Sequence, residues 1–78
     1  MFRYVEYNYL GGKPKGYDIK ADNLRDLQNK LIPILGVGED AILDPLWDND
    51  KKVWRTNWIV TTPFGKMRVR EGYVEKIV

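Results

Sequence analysis

The chain lacks three residue types that carry much of protein chemistry: it has no cysteine, no histidine and no serine. Without cysteine it forms no disulfide and has no thiolate nucleophile, and without cysteine and histidine it lacks the usual zinc ligands. The Ser-His and Cys-His nucleophile pairs and the common general base near neutral pH are excluded as well. These absences predict a protein that is not an enzyme and that holds no cofactor and no metal.

The sequence also lacks a long apolar run, a signal peptide and a strong net charge. No apolar stretch approaches the roughly 18 residues of a membrane span, and the first residues alternate in polarity, unlike a signal peptide. The formal net charge is only +2, whereas dedicated nucleic-acid-binding domains usually show a dense basic stripe. We therefore expect a cytoplasmic protein without membrane contact, whose partner is a protein or a second copy, with nucleic acid as the second choice.

The residues that are present suffice for one small core. The chain has 78 residues, 44% of them hydrophobic, with three Trp, five Tyr and two Phe. This composition predicts one α+β domain over residues 1–78. Its expected order is ββαββ(β), a single antiparallel sheet of four to five strands with one short helix packed on one face.

The N-terminal part predicts a hairpin. Residues 2–9 alternate in polarity, and residues 17–21 return after a loop rich in glycine and proline. The side chains predicted to share one face of this hairpin are Val5, Tyr7, Tyr9, Tyr17, Ile19 and Ala21.

One helix follows the hairpin. Asp22 or Asn23 is predicted to cap it, and the leucines at 24, 27 and 31 form an apolar stripe at helical spacing. Because Pro33 has no amide hydrogen and disfavours helical geometry at Ile32, we expect the helix to end near Leu31. Residues 36–41 match a Gly-X-Gly-X-X-Ala dinucleotide motif, but no predicted strand precedes them, so a loop is expected. Residues 41–47 fit a short strand or a helical turn.

Residues 53–70 predict a second hairpin around the turn Thr62-Pro63-Phe64-Gly65, because proline favours the second position of a type I turn and glycine the fourth. A three-residue loop would pair Thr62 with Lys66 and Trp58 with Arg70. One face would then carry Val53, Ile59, Met67 and Val69, and we expect the helix to cover it. The opposite face would carry Trp54, Thr56, Trp58, Val60, Lys66, Arg68 and Arg70. Glu71-Gly72 is expected to break the strand, and residues 73–78 to form a short last strand at a sheet edge.

That second face sets two indoles among cations, and guanidinium groups stack on aromatic rings. The candidate binding residues are Trp54, Trp58, Lys66, Arg68, Arg70, Arg55 and Tyr4. Exposed, such a surface would suit an acidic protein or a nucleic-acid backbone with bases to stack on. The alternative is structural: the tryptophans are partly buried and the arginine stems cover them.

The run Trp58–Tyr73 resembles a strand-turn-strand-Gly-Asp-Tyr segment of small phage-encoded proteins, although no aspartate follows Gly72 here. The resemblance implies a phage or mobile-element accessory protein.

Three functions follow from the sequence. The favoured one is a non-enzymatic binding module that acts through protein–protein contact or self-association, because one helix cannot cover both sheet faces and would leave Phe2, Tyr4, Trp54 and Trp58 on the uncovered side. The alternative is a single-stranded nucleic-acid or polyanion binder that uses the 53–70 hairpin. An enzyme is the least favoured, because the carboxylates of residues 39–50 have no evident partner base.

Overall fold

A computed structural model describes all residues, 1–78. The elements in chain order are β1 (Phe2–Glu6), β2 (Lys15–Ile19), α1 (Leu24–Leu35), β3 (Ile42–Asp48), β4 (Val53–Thr62) and β5 (Gly65–Lys76). The strands form one antiparallel sheet in the order β2-β1-β5-β4-β3. The predicted α+β class, with one helix and the order ββαβββ, is confirmed.

The last strand lies in the centre of the sheet. The sequence suggested that Glu71-Gly72 interrupts it and leaves a short strand at an edge, but β5 runs unbroken through Gly72 between β1 and β4. A Cβ at Gly72 would overlap the carbonyl oxygen of Val5 and would lie 3.1 Å from the Cα of Glu6. Glycine is therefore required here by the close approach of two strands, and it does not end the strand.

The β4–β5 hairpin has a shorter loop than expected. Thr62 pairs with Gly65, so only Pro63 and Phe64 lie between the strands. The Thr62 hydroxyl closes the turn, accepting from the Phe64 amide at 3.2 Å and donating to the Gly65 carbonyl at 2.7 Å. Gly65 has a φ of 115°, which favours glycine.

A β-bulge then shifts the register of the hairpin. Ile59 pairs with Arg68 and Trp58 with Arg70, which leaves Val69 as the extra residue. The predicted Trp58–Arg70 pair is confirmed, whereas the predicted pair of Thr62 with Lys66 is wrong. The bulge absorbs the one-residue difference between the two registers.

The predicted face of the first hairpin is wrong. Tyr4 lies opposite Tyr17 and Phe2 opposite Ile19, so the side chains of Tyr17 and Ile19 share a face with Phe2 and Tyr4 and not with Val5. The register depends on the length of the connection between β1 and β2, and a shift of one residue exchanges the two faces of a strand.

The helix begins as predicted and ends later. Asn23 is the cap, and its side-chain oxygen accepts the amide of Asp26 at 2.8 Å. The helix then passes through Pro33 to Leu35, where Gly36 adopts a left-handed conformation (φ 67°) and donates its amide to the Ile32 carbonyl at 2.9 Å. The additional turn buries the side chain of Leu35. The free energy gained by this burial exceeds the cost of the backbone hydrogen bond that Pro33 cannot donate.

Residues 36–41 form a loop, as expected, and Ile42–Asp48 is the edge strand β3. Pro45 is tolerated in this strand because an edge leaves some backbone amides unpaired. The turn into β4 is held by the Asp48 carboxylate, which accepts the amides of Asp50 and Lys51 at 3.0 and 3.1 Å. These hydrogen bonds lower the pKa of Asp48, the one from the Lys51 amide more than the one from the Asp50 amide.

The core lies between α1 and one face of the sheet. Trp58 is its largest member and is fully buried, in the same cluster as Leu27 and Leu31. The nine buried residues of the cluster are Phe2, Tyr4, Leu27, Leu31, Leu35, Ala41, Leu43, Trp58 and Val74. The helix therefore covers the face that carries the indoles.

Gly72→Ala is expected to destabilise the fold by about 1–3 kcal/mol, because the new methyl group forces β1 and β5 apart. Gly16→Ala is the matched control: it lies opposite Val5 on the other side of β1, and its Cβ would meet only the Val5 methyl carbon at 3.9 Å. Urea unfolding followed by tryptophan fluorescence measures both variants. Equal unfolding midpoints would contradict the close approach at Gly72.

Candidate binding surface on the open face

The open face is the side of the sheet that α1 does not cover. Strand alternation and pairing assign its members, and Tyr7 joins them because its amide donates to the Glu71 carbonyl at 3.0 Å and so continues β1. The side chains assigned to it are Arg3, Val5, Tyr7, Asp18, Ile42, Asp44, Leu46, Asp48, Val53, Arg55, Asn57, Ile59, Thr61, Lys66, Arg68, Glu71, Tyr73 and Glu75.

The predicted aromatic members of the site are not on this face. Trp58 and Tyr4 are both 0% exposed and belong to the core. Trp54 is half-buried on the same covered face, with its ring centroid 6.1 Å from that of Phe2 and 4.9 Å from that of Trp47. The expectation that the two indoles look away from the helix is wrong. The side of the hairpin that carries the large rings has more apolar area to bury, so it packs on the leucines.

The predicted cations are divided between the two faces. Arg55, Lys66 and Arg68 lie on the open face and are exposed. Arg70 lies on the covered face opposite Trp58, half-buried, with its guanidinium 3.5 Å from the Glu6 carboxylate. The structure therefore keeps three of the predicted basic residues together and separates them from the fourth and from both tryptophans.

Tyrosines take the place that the sequence suggested for the tryptophans. The ring centroid of Tyr7 lies 6.0 Å from that of Tyr73 and 6.2 Å from that of Tyr9. The Tyr9 hydroxyl donates to the Glu71 carboxylate at 2.5 Å, and this hydrogen bond raises the pKa of Tyr9. The alternation of Tyr7 and Tyr9 was visible in the sequence, but alternation alone does not tell which face of the sheet the helix covers.

Two shallow grooves meet at Tyr7. One has a volume of about 450 Å³ and runs between residues 7–10 and residues 68–71. The other, of about 390 Å³, is lined by Tyr7, Lys51, Val53, Arg55, Tyr73 and Glu75. Both grooves combine tyrosine rings with arginine and glutamate side chains.

Charge is distributed unevenly along the open face. At one end Arg3 bridges two carboxylates, Asp18 at 2.7 Å and Glu75 at 3.6 Å, and its hydrogen bond lowers the pKa of Asp18. Asp48 lies in the same region across Val53, and Lys51 and Arg55 lie beside these carboxylates. Lys66 and Arg68 lie at the opposite end, beside the β4–β5 turn. One end of the face therefore carries carboxylates paired with cations, and the other end carries Lys66 and Arg68.

A small polar cluster lies on the covered face. The Tyr4 hydroxyl donates to the Glu6 carboxylate at 3.0 Å, and Arg70 pairs with the same carboxylate. Burial, followed by the charge of Glu6, raises the pKa of Tyr4 well above its usual value. Near this strand region the hydroxyl of Thr56 and the indole N–H of Trp58 are buried without a hydrogen-bond partner.

The raised pKa of Tyr4 makes the fold sensitive to alkali. Below the unfolded-state pKa of about 10, Tyr4 is neutral in both states, and above it the unfolded chain ionises first. Stability is therefore expected to fall as pH rises above about 10, by at most about 1.4 kcal/mol per pH unit for this one group. Tyr4→Phe should reduce that slope. Urea unfolding at a series of alkaline pH values measures it, and equal slopes for wild type and Tyr4→Phe would contradict the assignment.

No group of three or more Asp or Glu side chains is placed to hold a metal ion. The helix of the protein is too short and too polar to cross a membrane. Comparison with protein-family models, curated proteins and solved structures found no match.

Proposed function

We propose that this chain is a non-enzymatic binding module that self-associates through its open face. The observation that carries the proposal is the one-sided cover of the sheet: α1 packs on the face of Trp58 and leaves the opposite face uncovered. The non-enzymatic part rests on the absence of cysteine, histidine and serine. A cytoplasmic location, and the accessory role suggested by residues 58–73, belong to the same proposal and rest on the sequence alone.

The uncovered face has the size and composition of a docking surface. Leu46 and Ile42 are 68% and 51% exposed, and they lie across β4 from the tyrosines. Tyrosine and arginine are the residues that contribute most at protein interfaces. The two longer dimensions of the molecule, 38 and 30 Å, leave room for the roughly 800 Å² per partner of a standard interface.

The distribution of charge favours a second copy as the occupant. A two-fold axis that lies between two facing sheets and runs perpendicular to the strands lays β5 of one copy over β5 of the other in the opposite direction. Glu75 of each copy then faces Lys66 and Arg68 of its partner, so the same contact forms at both ends. Isologous contacts of this kind close on themselves as dimers.

The same charges argue against nucleic acid. The cations of the open face are Arg3, Arg55, Lys66 and Arg68, and its anions are Asp18, Asp44, Asp48, Glu71 and Glu75. A phosphate backbone would meet as many carboxylates as cations, whereas a nucleic-acid-binding face is predominantly basic. The buried indole of Trp58 is also withdrawn from stacking on bases.

Sedimentation and light scattering test the proposal. The wild type is expected to dimerise, and the double variant Lys66→Glu/Arg68→Glu to weaken the dimer at least tenfold, because like charges then face each other. Arg25→Glu is the control for charge, since Arg25 is exposed on α1 and not on the open face. Adding Glu75→Lys to the double variant should restore the dimer.

Three outcomes would reject the proposal. The first is a wild-type protein that remains monomeric at hundreds of micromolar. The second is a dimer that Arg25→Glu weakens as much as the double variant does. The third is a monomer that binds a short single-stranded oligonucleotide at low salt and loses that binding in the double variant, which would assign the face to nucleic acid.

A further inference from the structure

The central strand β5 has a free stretch on one side. It pairs with β4 over Gly65–Val74, but its pairing with β1 covers only Gly72–Lys76. The last backbone contact on that side joins the Tyr7 amide to the Glu71 carbonyl at 3.0 Å. No strand pairs with residues 65–70 on the β1 side, so their outward-facing amides and carbonyls are open to another strand.

A groove lies beside this free stretch. It is the groove of about 450 Å³ between residues 7–10, where the chain leaves β1, and residues 68–71 of β5. Leu10 on one wall is 99% exposed and Val69 on the other is 44% exposed. β1 has five residues and β5 has twelve. Because β1 ends first, the groove lies open beside β5, in line with the end of β1.

We infer that residues 66–70 of β5 bind an extended acidic peptide segment of another protein, which adds to the sheet as a strand in line with β1. Backbone hydrogen bonds to the free stretch would supply much of the affinity, as in other cases of strand addition. The side chains supply the specificity. Lys66 and Arg68 point to the open face, while Met67 pairs with Val60 on the covered side and is 55% exposed.

The cations of this stretch select the occupant. Antiparallel pairing with a second copy, centred on Arg68, would set Arg68 against its own counterpart. Like charges directly opposite each other destabilise a strand pair. A partner strand with carboxylates at alternate positions and apolar residues between them meets Lys66 and Arg68 on one side and Met67 on the other.

This inference shares Lys66 and Arg68 with the proposed dimer but does not depend on it. The dimer uses only side chains of the open face, whereas the added strand also uses the backbone on one side of β5. Peptide titrations are therefore carried out at a protein concentration whose oligomeric state is measured in parallel by sedimentation. Peptide binding without a dimer, and a dimer without peptide binding, are then distinguishable results.

The test uses synthetic peptides of alternating glutamate and valine. Fluorescence anisotropy is expected to show binding of the acidic peptide, at least tenfold weaker binding of the same peptide with alternate backbone nitrogens methylated, and no binding of a lysine-valine peptide. Hydrogen exchange followed by NMR should slow at the amides of residues 66–70 when the acidic peptide is present. The methylated peptide keeps every charge, so it isolates the backbone contribution.

Protein variants complete the design. Lys66→Glu/Arg68→Glu should lose the acidic peptide and gain the lysine-valine peptide. Lys76→Glu is the control, because Lys76 lies on the same strand where β1 already occupies the edge. Unchanged exchange at residues 66–70, equal affinity for the methylated peptide, or protection confined to Arg55 and Tyr73 would each overturn the inference.

Discussion

A single helix of twelve residues can cover only one face of a five-stranded sheet, and the rest of the structure follows from which face it covers. The helix packs on the face of the sheet that can bury the larger apolar area. The face with Trp58, Tyr4 and Val74 buries the larger rings, so it packs against Leu27 and Leu31. The opposite face keeps smaller aliphatic groups, tyrosines and charges in contact with solvent.

The position of β5 joins the two halves of the chain. The N-terminal hairpin and the β3–β4 pair do not contact each other as strands, and β5 lies between them. The termini are held together there: the amino group of Met1 donates to the Val78 carbonyl at 3.0 Å, and the Ile77 amide donates to the Met1 carbonyl at 3.1 Å. Because this pairing is between distant parts of the sequence, β5 is the element on which the whole sheet depends.

The two surfaces proposed to bind partners have a common geometric origin. Strands of unequal length leave backbone groups unpaired at one end of β5, and a single helix leaves side chains uncovered on one face. Lys66 and Arg68 lie where the two features meet. Positive charge there discourages uncontrolled strand pairing between copies while it remains available to carboxylates.

The composition and local patterns of the sequence determined the α+β class, the order of elements, a helix start capped by Asp22 or Asn23, the position of the turn at Pro63 and the grouping of Lys66 and Arg68. These features depend on residues close in sequence, whose propensities act before any long-range contact forms. Only the tertiary structure decided which face the helix covers, that Gly72 continues a strand, and that Tyr7 and Tyr73 replace Trp54 and Trp58 on the open face. Those outcomes depend on strand register and on competition for burial, and a loop shorter by one residue or a single bulge at Val69 is enough to change them.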